Sequence, residues 1–300
     1  YKRQYIDTTV SRDTKLGDLL DRYLAEESPK HAGGSKEKSV IKTLKKHLGH
    51  HTFATLTSGV ISTYIDMRQA TISKRTKRKL STQTVAHEFE RLQVVLKHAV
   101  RAWDLVLPLG LPTATLKKPP VNNKRVRTLD ESEYERLIEE CGRSKNKYVL
   151  PSVLLAIHLT SRVGPLVDLK WKDVDCDKRI AVLRNVKDKR TKSQEVPLTD
   201  KALAIIKQLP QTKSGKVLDI TYWCLHGCYI RACRRAGIEN LTFHDLRHHG
   251  ITELFKLGLT DREVMVYSGH TTTQSLTRYT HLKATDMAEK VNQLRKEKEQ

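Results

Sequence analysis

Among its 300 residues the chain has no run of about eighteen apolar residues and no signal-like start, which argues against a membrane span and against export. Negative charge is the scarcer sign: 34 Asp and Glu stand against 55 Lys and Arg, leaving +21. That excess is the electrostatic footprint of a protein that meets a polyanion, with nucleic acid the leading partner and an anionic membrane surface the weaker one. Cysteine is sparse. Cys141, Cys176, Cys224, Cys228 and Cys233 are an odd number without a disulfide framework, which suits a reducing compartment, and the cytoplasm is the expected location. Missing too is the glutamate of an HExxH pair: His244 and His248 stand four apart on an expected helix, but without that acid zinc is disfavoured, and Cys224 and Cys228 read as packing residues.

What is there is enough for two domains. The 38% hydrophobic content supports real cores, and most of it recurs at helical spacing. Residues 1–14 are polar and basic and read as a tail or linker; the chain opens on Tyr1 and not on Met, so a preceding segment is expected. Leu16, Leu19, Leu20, Tyr23 and Leu24 mark a first helix, ended by Ser28-Pro29 and Gly33-Gly34, and a basic second helix runs over about 36–48. Thr57 caps a third to about Ala70, and Ser81 a long fourth with Val85, Phe89, Leu92, Leu96, Val100 and Trp103 on one face. Residues 15–117 therefore read as a compact four-helix domain.

Between the third and fourth helices lie Lys74, Arg75, Lys77, Arg78 and Lys79, a cluster suited to neutralising phosphates without reading sequence, or to a solvated loop. Pro108, Pro112, Pro119 and Pro120, then Lys124, Arg125 and Arg127, mark a stiff and basic connection, and residues 118–128 are the expected linker. A second domain, 129–285, opens on the Asp130 and Glu133 capping box. An apolar run from Val149 to Leu159 leads into Thr160-Ser161-Arg162. Two short strands, about 179–183 and 195–198, flank a turn carrying Lys187, Lys189, Arg190 and Lys192. Helices over 200–209 and 222–236 follow, the second bearing Arg231, Arg234 and Arg235 toward phosphates or toward water.

Residues 241–282 hold the densest chemistry. Thr242 with Asp245 and Thr260 with Glu263 are capping boxes, so helices start at about Phe243 and Asp261, the first stopped by Gly258 and the second broken at Gly269-His270. Thr271 to Thr273 are placed to cap a third helix, holding Tyr279. His244, Arg247, His270 and Tyr279 then sit near ends of short helices, where they can converge. An imidazole moves a proton, a guanidinium grips phosphate oxygens and a phenol can attack phosphorus, so the set describes phosphoryl transfer through a phosphotyrosine. Taken singly, Tyr267 reads as packing and His248 and His281 as supporting residues.

The spacing His-x-x-Arg, then Gly-His, then Tyr nine residues later resembles the signature of the tyrosine site-specific recombinases, the phage-integrase family. The match covers about residues 15–285 and is looser in the helical domain. The resemblance implies a mainly α fold with a small β-sheet, in which a helical core-binding domain and a catalytic domain form a C-shaped clamp around duplex DNA. It selects Arg162, nine residues before Trp171, as the first phosphate-clamping arginine, and Lys189, seven before Val196, as the catalytic lysine, with Lys187 and Lys192 as rivals. The chain departs from the pattern at Pro165, where an acidic residue is usual, and at Thr160 and Ser161, which replace a Gly and an apolar residue; Asp168 is the candidate stand-in for the missing acid.

The family's chemistry would then run with Arg162 and Arg247 on the scissile phosphate and His270 hydrogen bonded to it. Tyr279 would attack with His244 assisting its proton loss, and Lys189 would protonate the 5′ oxygen, with neither metal nor ATP. Implied partners are core-site DNA, three further copies in a tetramer, and accessory DNA-bending proteins. Ala284, Met287, Val291 and Leu294 form a narrow apolar stripe in the charged tail of residues 286–300 and just before it, and the resemblance implies that this tail docks on a neighbouring copy. Two rivals stay open from sequence: a type IB topoisomerase, and a DNA-binding or architectural protein on a decayed recombinase scaffold.

Overall fold

The computed structural model describes residues 13–31, 34–74, 76–107, 110–121, 127–184, 193–277, 279 and 295. The chain forms two compact units, Tyr1–Asn123 and Lys124–Gln300. The expected linker of residues 118–128 spans this division.

In the first unit four helices, α1 (Leu16–Glu26), α2 (Gly34–Leu48), α3 (Ser58–Ala70) and α4 (Thr82–Ala102), pack around Leu20, Ile41, Leu44, Ile61, Phe89, Leu92 and Leu96. Thr57 and Ser81 cap α3 and α4 by accepting from the amides of Val60 and Thr84. Helix α1 has no side-chain cap; the amides of Leu16 and Gly17 donate instead to the carbonyls of His51 and Gly49, at 2.8 and 3.0 Å. Between α3 and α4 the basic cluster is a small hairpin loop, with the Ser73 amide on the Arg78 carbonyl and the Leu80 amide on that of Thr71. At its base, buried Glu88 accepts from the Tyr64 hydroxyl (2.7 Å) and from Arg68 Nε and Nη2 (2.9 and 2.6 Å), which ties α3 to α4.

The second unit is built on α6 (Val149–His158), whose apolar residues are buried almost throughout. Around it pack α5 (Glu131–Gly142), the five-residue α7 (Val163–Val167), and beyond the strands α8 (Asp200–Lys207), α9 (Tyr222–Arg235) and α10 (Phe243–Lys256). Asp130 caps α5 with the expected reciprocal bond to Glu133. A three-stranded antiparallel sheet joins β1 (Val174–Asp175), β2 (Ile180–Arg184) and β3 (Ser193–Pro197) in that order, pairing Ala181 with Val196. Ala181, Leu183 and Val196 point into the core. Helix α11 (Asp261–Ser268) ends at Gly269, whose φ of +64° is the left-handed stop expected of glycine.

Two elements differ from expectation. Pro165 lies in the first turn of α7, a helix that the Gly164-Pro165 pair conceals in sequence; the missing proline N–H is one that a first turn leaves unpaired anyway. The third helix expected to carry Tyr279 is, among the described residues, a 3₁₀ turn (Thr273–Ser275) followed by a turn in which the Tyr279 amide donates to the Leu276 carbonyl at 2.8 Å. The β-branched Thr271–Thr273 trio is a poor helix former, which favours the tighter turn.

Candidate active site

Helix α6 ends in a Schellman arrangement: the Thr160 amide donates to the Ile157 carbonyl and the Ser161 amide to that of Ala156, both at 3.1 Å. Thr160 adopts φ +43°, the left-handed position where glycine is the ordinary occupant. This turn aims two groups. Its carbonyl at Thr160 accepts from Arg247 Nη1 at 2.5 Å, and its next residues present Arg162 at the start of α7.

Arg247 is 3% exposed, and its Nη2 donates to the Ser268 carbonyl (2.6 Å) at the end of α11. The guanidinium is thus held between the C-terminal carbonyls of α6 and α11, the negative ends of two helices. Helix α10 carries it there by running close against α6: a Cβ on Gly250 would stand 2.3 Å from the Ile157 carbonyl oxygen. Burial first, and the neighbouring Arg162 charge second, push Arg247 down to about 9, with Tyr279 opposing. Burial likewise lowers Arg162, and Tyr279 opposes that too. Among the described residues no carboxylate pairs with either guanidinium, so two neighbouring cations, Arg247 buried and Arg162 half-buried, stand where an anion would complete them. Asp168, the candidate stand-in, pairs instead with Lys216 at 3.1 Å.

His270 follows Gly269. Ser268 Oγ donates to the Val264 carbonyl (2.6 Å) and so accepts from His270 Nδ1 (2.7 Å), which leaves Nε2 facing Arg247 Nη2 at 3.4 Å as an acceptor. A hydrogen bond donated from that nitrogen to a phosphate therefore requires the protonated ring. Tyr279 is seated by a small cluster of Ile251, Val264 and Leu276, with its ring stacked on Phe255 at 6.4 Å between centroids. Its hydroxyl is hydrogen bonded to His248 Nδ1. The ring expected at the phenol was His244; that side chain is exposed in the first turn of α10 and stands edge-on to His248, centroids 4.8 Å apart. The signal for His248 was its spacing of four from His244, which puts both on one helix face.

The structure thus gathers Arg162, Arg247, His270 and Tyr279 around one pocket, with His244 at its rim behind His248. Lys189, Lys187 and Lys192 lie outside the described residues, between β2 and β3. The described part of that hairpin is tied to the site by Gln194, whose Nε2 donates to the Tyr267 carbonyl at 3.0 Å. Of the expected DNA-binding cations, Lys74, Lys77, Arg78, Lys79 and Arg234 are exposed, while Arg75, Lys124 and Arg125 lie outside the described residues. Arg127 and Arg235 are engaged within the fold. The first makes a bidentate pair with Glu133 and the second binds the Glu140 carboxylate at 2.5 Å and its carbonyl at 2.8 Å, so both guanidiniums brace helix α5. No group of three or more His, Cys, Asp or Glu among the described residues is placed to hold a metal ion. No described helix is long and apolar enough to cross a membrane.

Residues 127–286 match the phage integrase family. The chain is 31% identical over 288 residues to the shufflon-specific DNA recombinase of Escherichia coli, covering 95% of this chain and 74% of that protein. Its fold is similar to that of the Tn1549 transposon integrase in complex with transposon right-end DNA, with a TM-score of 0.71 at 14% identity over 94% of this chain and 99% of that one. It is similar also to lambda integrase, solved as a tetramer bound to a Holliday junction, with a TM-score of 0.72 at 16% identity over 94% and 84%. The chain belongs to the phage integrase family and is a tyrosine site-specific DNA recombinase, an enzyme that cleaves and rejoins DNA.

Proposed function

We propose that the chain cleaves DNA by attack of the Tyr279 hydroxyl on a scissile phosphodiester, forming a 3′-phosphotyrosyl ester, and that it joins phage or other mobile DNA to a target site. The observation that carries this reading is that a phenol lies beside two guanidiniums, Arg247 buried and Arg162 half-buried, that have no carboxylate partner among the described residues. Arg162 and Arg247 neutralise the charge that builds on the non-bridging oxygens, where fixed donors in a dry site act most strongly. Lys189, on the hairpin that Gln194 ties to the site, protonates the departing 5′ oxygen; His270 in its protonated form donates to the same phosphate, and His244 lies at the rim where the strand enters. The ester conserves the energy of the broken bond, so a 5′ hydroxyl from a partner duplex reseals it without ATP. A binding protein would have no use for the phenol, which disfavours the decayed-scaffold reading.

The working assembly we propose is a tetramer on two duplexes, held by exchange of residues 286–300 between copies and helped by DNA-bending proteins, in the cytoplasm where the DNA lies. Support comes from the tetrameric lambda structure and from the narrow apolar stripe of the tail.

The test is covalent capture. A pool of nicked random-sequence duplexes is incubated with the protein, and adducts resistant to denaturation are recovered and sequenced. The wild type yields adducts at a common site, and Tyr279→Phe binds the same DNA and yields none. Wild-type binding without any adduct would overturn the enzymatic reading, and relaxation of supercoiled DNA without exchange between two sites would point to a topoisomerase.

A further inference from the structure

We infer that His248, rather than His244, is the residue that seats the Tyr279 hydroxyl for attack and takes its proton. This rests on Tyr279 being the nucleophile, as proposed above. His248 is 7% exposed, its Nδ1 is hydrogen bonded to the phenolic oxygen, and the two rings lie 5.5 Å apart between centroids. His244 covers it from the solvent side, edge-on, and is itself exposed. Phe255 stacks on one face of the phenol ring, and the Tyr279 amide donates to the Leu276 carbonyl.

The chemistry requires such a group. A phenol with an ordinary pKa near 10 is a weak nucleophile at neutral pH, and a base within hydrogen-bond reach removes that handicap. For His248 to accept, its neutral ring carries hydrogen on Nε2 and a lone pair on Nδ1, the atom that meets the phenol. As the tyrosyl oxygen bonds to phosphorus, its proton passes to Nδ1, giving an imidazolium; the bond from phosphorus to the 5′ oxygen breaks, and that oxygen takes its proton from Lys189. Rejoining runs the same steps backward, with the imidazolium returning the proton to the phenol. Among the described residues, the charged and titratable groups around this pair include His244 on the same helix, Arg162 at the start of α7, and Arg247 with His270 bonded to it. The two guanidiniums lower the energy of the phenolate as it forms.

The experiment uses the duplex recovered by covalent capture on the wild-type protein, in two forms: the ordinary linkage, and one with sulfur in place of the 5′ bridging oxygen, a leaving group that needs no proton. Single-turnover trapping is followed across neutral pH for wild type, His248→Ala, His248→Asn and His244→Ala. The expected result is that His248→Ala traps about 100-fold more slowly on both linkages while binding DNA as the wild type does. His248→Asn, whose amide oxygen can stand where Nδ1 stood, recovers part of the rate but loses the rise with pH that the wild type shows as its base gives up its proton. Wild-type rates in His248→Ala overturn the inference. So does rescue of that variant by the sulfur linkage, which would place His248 at the leaving group, and so does equal loss in both variants with an unaltered pH profile, which would leave it a packing role. If the variants fail to fold, the imidazole resonances of labelled wild-type protein are compared with those of Tyr279→Phe: a shift at His248 Nδ1 upholds the contact and no shift overturns it. Absence of adducts from the wild type would fall on the function proposed above and not on this assignment.

Discussion

His249 lies buried on α10 with its Nδ1 lacking a hydrogen-bond partner, and Tyr134 stacks on it at 5.8 Å. Burial holds its pKa below the usual histidine range, with Lys256 pushing the same way and Glu253 against; burial and then Lys201 do the same to His158 at the end of α6. Above about pH 6.5 both folded and unfolded chains hold these rings neutral, and no stability is lost. As pH falls below that, the unfolded chain takes up protons that the folded one resists, so stability declines, by up to about 1.4 kcal/mol per pH unit for each ring. Urea unfolding between about pH 5 and pH 7 should therefore give a shallower decline for a His158→Gln, His249→Gln double variant than for the wild type, and identical slopes would refute the assignment. Residue by residue, Tyr279, Arg162 and Arg247, the proposed nucleophile and phosphate clamps, could be picked out in the sequence because a family spacing carries them. The seat of the phenol on His248 was not. A hydrogen bond between residues 31 apart depends on how α10 and the turn after α11 pack, and no local pattern encodes that.

At the scale of elements, the sequence spells out what caps and stripes control. Thr57, Ser81, Asp130, Thr221 and Thr260 all cap where a helix starts, and Gly269 stops one. Helix α7 and strand β1 escaped, being too short for periodicity to show. The glycine usual at position 160 acquires a reason here, since φ is +43° and glycine fills that conformation without strain; nothing in the structure explains the threonine that stands in its place. In the helical unit the Tyr64, Arg68 and Glu88 knot lies directly under the basic hairpin loop, and both charged side chains are nearly closed off from water, at 12% and 3% exposed. Glu88→Gln leaves the Arg68 cation buried without its carboxylate, and the expected cost is about 3 kcal/mol in unfolding of that unit, followed by circular dichroism. A loss below about 0.5 kcal/mol would show that water reaches the pair.

For the molecule as a whole, a charge of +21 makes DNA binding an ion-exchange process. Replacing Lys74, Lys77, Arg78 and Lys79 together by alanine should reduce the slope of log affinity against log salt by up to about 3.6, at about 0.9 for each phosphate that is no longer neutralised. An unchanged slope would mean that this exposed loop only faces solvent. Assembly is a separate question from binding. Removing residues 285–300 should weaken multimeric complexes on DNA, seen on native gels, more than it slows trapping by a single copy; unaltered complexes would rule out the tail as the link between copies.

The grip on Arg247 has a consequence for how such a protein drifts. Both of its strong acceptors, at Thr160 and Ser268, are main-chain oxygens. No side-chain replacement at either position can delete an acceptor, since every amino acid brings the same carbonyl. What mutation can alter is the route of the backbone through the two helix ends, so it is a redirected chain, and not an exchanged side chain, that would loosen the guanidinium.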